Sequence, residues 1–357
     1  MNEKRIESDI LIIGAGLTGL YLSYLLREMG RKVMIVEARS ILGGRILTKE
    51  DGINPPLEMG ATWFGYEHSH LQTLISELGL RIFEQKLGDR AIYEPISSSP
   101  PQIVKLPPND RPSFRFIDGT DSIIKSLANE IESKIHLNQI IQKVELDTDR
   151  INAHTINTTY HAKFIVSTIP PALLQNSVEF IPELPEKLLS VTASTHTWMG
   201  DSIKVALAYE DAFWDTEELS GTIFSSVGPI PEMYDHSNYD HNKHALMGFL
   251  NGTYFSLQKS ERLELIMTQL EKYYGPQVRG FVSYEEKVWR NDPFTFFPYR
   301  DHVLPHQNNG HAIYQDVYLD NRFILAGSET CADFGGYMEG ALRSARFVFD
   351  HLYSCMN

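Results

Sequence analysis

The stretch Asp9-Ile-Leu-Ile-Ile-Gly14-Ala-Gly16-Leu-Thr-Gly19-Leu20 is followed by Val36-Glu37-Ala38-Arg39 and then by Gly43-Gly44-Arg45. A short apolar run entering a G-x-G-x-x-G frame has the layout of a buried strand, a tight turn and a helix that grip a dinucleotide. Gly14 lets the chain turn sharply out of the strand. Gly16 lets backbone N–H groups approach phosphates with no Cβ in the way, and Gly19 allows close helix-to-strand packing. The positive end of the helix then faces the pyrophosphate. That helix carries Leu17, Leu20, Tyr21, Tyr24, Leu25 and Met29 at spacings of three and four, with Gly30 where a left-handed C-cap falls. Lys32 to Glu37 reads as the second parallel strand. Glu37 lies 23 residues after Gly14, the spacing at which an acid reaches a ribose hydroxyl and disfavours a phosphate there. These residues leave FAD and NAD both open.

The rest of the composition narrows the class. With 357 residues, one large or two interleaved domains are expected. Hydrophobic residues at 42% and charged residues at 22% fit a globular protein and exclude disorder as the main state. A net charge of −14 argues against nucleic acid or an anionic membrane as partner. It mildly favours cationic ligands, although solubility explains it equally well. Two cysteines, Cys331 and Cys355, supply neither a disulfide framework nor a cysteine-rich metal site, and point to a reducing compartment. The charged opening Met1-Asn-Glu-Lys-Arg-Ile-Glu-Ser leads straight into the first strand, and no run approaches a membrane span. A soluble, cytoplasmic protein is the expectation.

Farther along, Leu71 to Leu78 and Asp121 to Ile131 read as helices, and Arg90 to Tyr93 and Gln102 to Leu106 as short strands between proline loops. Ile141 to Leu146, Ile151 to Ala153 and Phe164 to Ser167 read as strands. Longer β-rich runs follow at Ser202 to Tyr209, Thr222 to Val227 and His244 to Leu250, then a helix over Glu261 to Tyr273. Arg322 to Gly327 is a buried strand entering a glycine turn, and Gly340 to Tyr353 a closing helix. The fold expected is mixed α/β: a Rossmann-like dinucleotide domain (1–79, 116–190, 291–357) with a discontinuous β-rich substrate domain (80–115, 191–290). His68, His70, His236, His241 and His244 sit in polar stretches and read as solvated, so no metal site is expected.

Further motifs carry a family resemblance. Glu58-Met-Gly-Ala-Thr-Trp63-Phe-Gly65, Ser167-Thr-Ile-Pro-Pro171, Ser202-Ile-Lys204, Tyr284-Glu-Glu-Lys-Val-Trp289, Ala326-Gly-Ser-Glu329-Thr and Gly335-Gly-Tyr337-Met-Glu-Gly340 follow the opening fingerprint in order. From residue 8 to about 350 the chain resembles the flavin-containing amine oxidases, the group of monoamine and polyamine oxidases. The resemblance implies FAD. It makes Arg45 the arginine beside the pyrophosphate, Glu329 the acid on the ribityl chain, and Met338 the start of the helix whose amides face the flavin N1 edge. Val144 is similar in place to a residue touching adenine, and Arg39 and Trp289 join the cofactor set. Lys204 resembles the lysine that holds a water at flavin N5; by its residues alone it reads equally as a gatekeeper on an edge strand. Tyr299 and Tyr337 match two tyrosines that cage the substrate amine.

Two departures stand out. Pro298 replaces the cysteine that bonds FAD in monoamine oxidases, which implies a noncovalent cofactor. Family members also carry a long helical segment between the helix matching Leu71 to Leu78 and the strand leading to Gly119, and in this chain only a short strand pair and proline loops fill that interval. A more open site, a small or loosely selected substrate, or a partner that completes the wall is expected. The resemblance implies oxidation of a small amine to an imine with oxygen reoxidising the flavin to give hydrogen peroxide. A flavin desaturase or dehydrogenase of a non-amine and a non-catalytic FAD-binding module are the alternatives. The oligomeric state stays open, a homodimer being one option.

Overall fold

The computed structural model describes residues 4–216 and 219–356, so Met1 to Glu3 of the charged opening and Asn357 lie outside it. The strand Ile10–Ile13 is wholly buried and alternates its sides: Ile10 and Ile12 join one apolar cluster, Leu11 and Ile13 another. A strand buried on both faces needs neighbours on both edges. It has them in Val33–Val36 and Phe164–Ser167, both parallel to it.

The resulting six-stranded sheet runs Lys134–His136, Val33–Val36, Ile10–Ile13, Phe164–Ser167, Phe323–Leu325, Val317–Tyr318, and only the last pairing is antiparallel. The helices Leu17–Leu26 and Met338–Met356 cover one face, with Leu20 and Leu342 fully buried between them and the sheet. A five-stranded sheet built from Lys4–Glu7, Thr158–Ala162, Ile151–His154, Lys143–Leu146 and Glu179–Ile181 covers the other.

A seven-stranded sheet stands apart, ordered Ser283–Val288, Ser202–Tyr209, His244–Asn251, Glu232–Asp235, Ile223–Ser225, Arg90–Glu94, Gln102–Lys105. The hairpin from the proline-rich interval thus extends this sheet, through a parallel pairing of Ile92 with Ile223. The helix Lys259–Tyr274 packs Ile266, Met267 and Leu270 on it. Ser202–Tyr209 is paired on both sides, so the edge-strand reading of Lys204 is overturned. Its register lays Lys204 opposite Phe249, and Phe249 opposite Glu232. Directly opposed residues share a face, so the three form one row across the sheet.

The helices expected near 71–78, 121–131, 261–273 and 340–353 are present as Ser69–Glu77, Asp121–Glu130, Lys259–Tyr274 and Met338–Met356. The short helices Pro171–Ser177 and Glu186–Ala193 and the strand Lys134–His136 are additions to the sequence reading. Lys134–His136 has one apolar residue and no alternation to display; its extended state comes from its parallel pairing with Val33–Val36. No helix among the described residues is long and apolar enough to cross a membrane.

Candidate active site

A cavity of about 430 Å³ runs from the glycine turns of the six-stranded sheet to the Lys204 row of the seven-stranded one. At its first end glycine backbone forms much of the wall. Gly14, with φ +108°, turns the chain out of Ile10–Ile13, and a Cβ on Gly19 would sit 2.0 Å from the Gly14 carbonyl oxygen. Gly43 donates to the Ala15 carbonyl at 3.0 Å, which brings the second glycine pair against the first. A Cβ on Gly44 would lie 3.3 Å from the Gly16 Cα. Glu37 is buried at this end, its carboxylate accepting from the Ala15 N–H at 2.8 Å and the Arg39 N–H at 2.9 Å. Arg39 in turn donates to Asp292 at 2.6 Å and to Thr295 Oγ1 at 2.8 Å. Burial works to raise the Asp292 carboxyl, but the Lys287 and Arg39 cations beside it hold it below its ordinary value.

Midway, Arg45 spans the cleft. Its guanidinium makes a two-point pair with Glu329, at 2.5 and 2.8 Å, and also donates to Ser328 Oγ and to the Trp198 carbonyl. Burial would raise the Glu329 carboxyl, yet Arg45 keeps it below the usual range. A guanidinium with its fork already matched to a carboxylate is a preformed, oriented charge.

At the far end the walls are side chains. Lys204 Nζ donates to the Gly60 carbonyl at 2.7 Å and to the Thr62 hydroxyl, with the Trp63 and Phe249 rings 5.1 and 5.6 Å away. Burial pushes this ammonium down to about 7 from its ordinary 10.5. Glu232 lines the same end and accepts from the Tyr234 hydroxyl at 3.0 Å. Tyr337, 41% exposed, stacks with Trp198 at 5.8 Å and with His306 at 5.8 Å.

The cavity walls therefore include Gly14, Gly16, Glu37, Arg39, Gly43, Gly44, Arg45, Lys204, Tyr337 and Met338 from the residues singled out in sequence. Gly19 and Glu329 sit directly behind those walls. Three others lie elsewhere. Val144 is fully buried, packed among Leu11, Met34 and Tyr160, and Gln139 to Ile141 form the wall instead. Trp289 is buried with its indole N–H donating to the Met59 carbonyl at 2.8 Å. Tyr299 accepts from the Thr197 N–H at 2.7 Å and packs on His196 and Phe296, outside the lining; Trp198 is the ring against Tyr337.

The solvated reading of His236 and His68 is also overturned. His236 is fully buried, bonded through Nδ1 to Arg115 at 2.8 Å and through Nε2 to the Pro56 carbonyl at 3.1 Å. His68 is buried against Phe334. Both partners arrive from distant segments, so the polar local sequence around each histidine was a misleading guide. Trp198, Glu232 and Phe249 were missed altogether. Thr62 stood inside the quoted Glu58 to Gly65 motif and could have been found there.

The donor set suits a dinucleotide: a glycine cradle that Cβ atoms would fill, an acid at one end, an oriented arginine midway and apolar walls throughout.

Comparison with known proteins agrees. A family model described as flavin containing amine oxidoreductase matches residues 17–97 and 96–348. The probable flavin-containing monoamine oxidase A of Dictyostelium discoideum is 24% identical over 443 aligned positions, covering 94% of this chain and 95% of that protein. The alignment is longer than this 357-residue chain, so the relative carries segments with no counterpart in it. Putrescine oxidase, solved with putrescine bound, superposes with a TM-score of 0.84 at 19% identity over 98% of this chain and 100% of that one. Cyclohexylamine oxidase from Brevibacterium oxydans gives 0.84 at 18%, over 98% and 99%. The structural likeness is one of fold. The family match spans most of the chain, and this protein belongs to the flavin containing amine oxidoreductases, as an FAD-dependent amine oxidase.

Proposed function

We propose that the chain oxidises the C–N bond of a small amine to an imine, with oxygen as final acceptor and hydrogen peroxide as product. The observation that carries this reading is the row Lys204, Phe249, Glu232, which closes the end of a cleft whose other end is a glycine cradle. FAD, when bound, would supply the two-electron acceptor for this oxidation, with dioxygen as the final acceptor. Gly14, Gly16, Gly43 and Gly44 would admit its pyrophosphate, Glu37 its ribose, and Arg45 with Glu329 its middle. The start of Met338–Met356 would turn backbone amides toward the ring. Pro298 offers no thiol for a covalent link, so acid precipitation should leave the yellow colour in the supernatant.

Lys204, anchored by Gly60 and Thr62, holds a proton or a water beside the reacting atoms. Tyr337 orients the amine with its ring face. Glu232 puts a carboxylate in the cavity and favours substrates that keep a positive charge away from the reacting nitrogen. We assign segments 80–115 and 191–290 to the substrate side, 1–79, 116–190 and 291–357 to the cofactor side, and the cytoplasm as the site of action. Anaerobic addition of a panel of mono- and diamines, followed by the visible flavin absorbance, is the direct test. Bleaching by an amine, with peroxide formed on readmission of air, is expected. A yellow protein bleached by no amine would sink the proposal in favour of a binding module, and bleaching by another substrate class alone would point to a dehydrogenase of a non-amine.

A further inference from the structure

Behind Lys204, away from the cavity, lies a group of buried ionisable side chains that the proposed reaction leaves unused. Glu58 is 4% exposed and ends the strand Leu57–Glu58. Its carboxylate accepts from the Thr120 N–H at 2.7 Å and from the Thr48 hydroxyl at 2.8 Å. Past Glu58 the chain stays paired to its neighbour, Met59 N–H to the Leu47 carbonyl and Ala61 N–H to the Arg45 carbonyl. This one segment then supplies both anchors of the lysine, the Gly60 carbonyl and the Thr62 hydroxyl. Glu58 therefore sits at one end of the loop that grips the ammonium. A void of only about 10 Å³ lies behind it, bordered by Arg115 and His236, so bulk water screens little of this cluster.

Several charges face the pair. Lys204 faces Glu58, Arg115 and Glu232; Glu58 faces Lys204, Asp121 and the buried Arg115 guanidinium. His236 is the neighbour that stays neutral, since burial and then the Arg115 and Lys204 cations push its imidazole well below its ordinary value. Glu58 is thus a buried counter-charge for Lys204, set at the end of the segment that anchors the ammonium and held by two hydrogen bonds that favour its ionised form.

We propose that Glu58 is a positioning residue for amine oxidation, its carboxylate fixing the charge that Lys204 presents to the reacting end of the cleft. The inference rests on the reading of Lys204 as the lysine beside the reacting atoms. Burial pushes the Glu58 carboxyl up and the Lys204 ammonium down. Each ionised partner opposes the other's shift. Removing the carboxylate therefore lowers the lysine further, and less of it is charged at neutral pH.

The test is lysine-selective 15N NMR of the FAD-loaded protein, which follows the Lys204 Nζ titration whether or not any amine is turned over. In the unsubstituted chain the midpoint is expected below the ordinary lysine value of 10.5; in Glu58→Gln it moves at least about one pH unit further to acid. Thr48→Val, which removes one donor from the carboxylate, moves it the same way by less and serves if Glu58→Gln does not fold. A midpoint that stays at its original value, even with a lowered melting temperature, overturns the proposal and leaves Glu58 a purely structural residue. Failure of the amine oxidase reading would show separately, as an unbleached flavin beside a normal lysine titration.

Discussion

At the Gly14 end of the cleft glycine main chain shapes the wall beside the Glu37 and Arg39 side chains, and at the Lys204 end the wall is a row of side chains set by strand register. The first end tolerates almost no chemical change, because any Cβ enters space that backbone or ligand must occupy. The second can be altered by single substitutions on a sheet that stays the same. A scaffold of this kind keeps its cofactor and varies its substrate.

That contrast can be broken most forcefully at Gly19. Gly19→Val should cost about 3 kcal/mol of stability, since its Cβ meets the Gly14 carbonyl oxygen; a denaturation midpoint like that of the original chain would refute the idea of a backbone wall. Gly16→Val is the companion. The nearest atom to its Cβ is 3.7 Å away, so the fold should persist while flavin affinity falls about 100-fold.

Glu329→Gln probes the middle of the cleft. Breaking the pair with Arg45 should cost about 2 kcal/mol, below the range for fully buried pairs because part of the arginine faces solvent. The sign with pH follows from the depressed carboxyl. Its stabilising contribution is present above its ordinary value of 4.5 and is lost as pH falls through the lower native value. Acid unfolding curves of the two forms should therefore converge at low pH, and parallel curves would place the stabilisation elsewhere.

At the substrate end, Glu232→Gln should raise KM for a diamine about tenfold while leaving a monoamine of similar length nearly unchanged. Equal effects on both would remove Glu232 from substrate selection. The smallest effect is expected at Tyr299. Tyr299→Phe loses the bond from the Thr197 N–H and should cost about 1 kcal/mol of stability with KM unaltered. A changed KM would return Tyr299 to the amine cage and displace Trp198 as the ring that partners Tyr337.

How much of this was legible in the sequence divides along the same line. Gly14, Gly16, Gly43 and Glu37 could be read because their requirement is local: a positive φ, a close approach, an acid at the end of the next strand. Glu232 and Phe249 could not, because their meaning depends on which strands lie side by side, and Glu232–Asp235 follows a proline turn with no signal of its own. His236 failed for the same reason in reverse. Its neighbours in sequence are polar, while its neighbours in space, Arg115 and Pro56, come from far upstream. Tyr299 rests on the resemblance alone; its hydroxyl accepts from the Thr197 N–H and the residue lies outside the cavity lining.

The pairing of the first helix with the last has a consequence for biosynthesis. Leu17–Leu26 lies against Met338–Met356, and Arg31 donates to the Met356 carbonyl at 2.5 Å. The fingerprint strand and its helix leave the ribosome about 15–60 s before the helix that covers them, at ordinary synthesis rates. Throughout that interval the first helix lacks its packing against Leu342 and Ala345, and the cleft lacks the wall formed by Gly327, Tyr337 and Met338. The complete cleft can therefore form only once Met338–Met356 has been made.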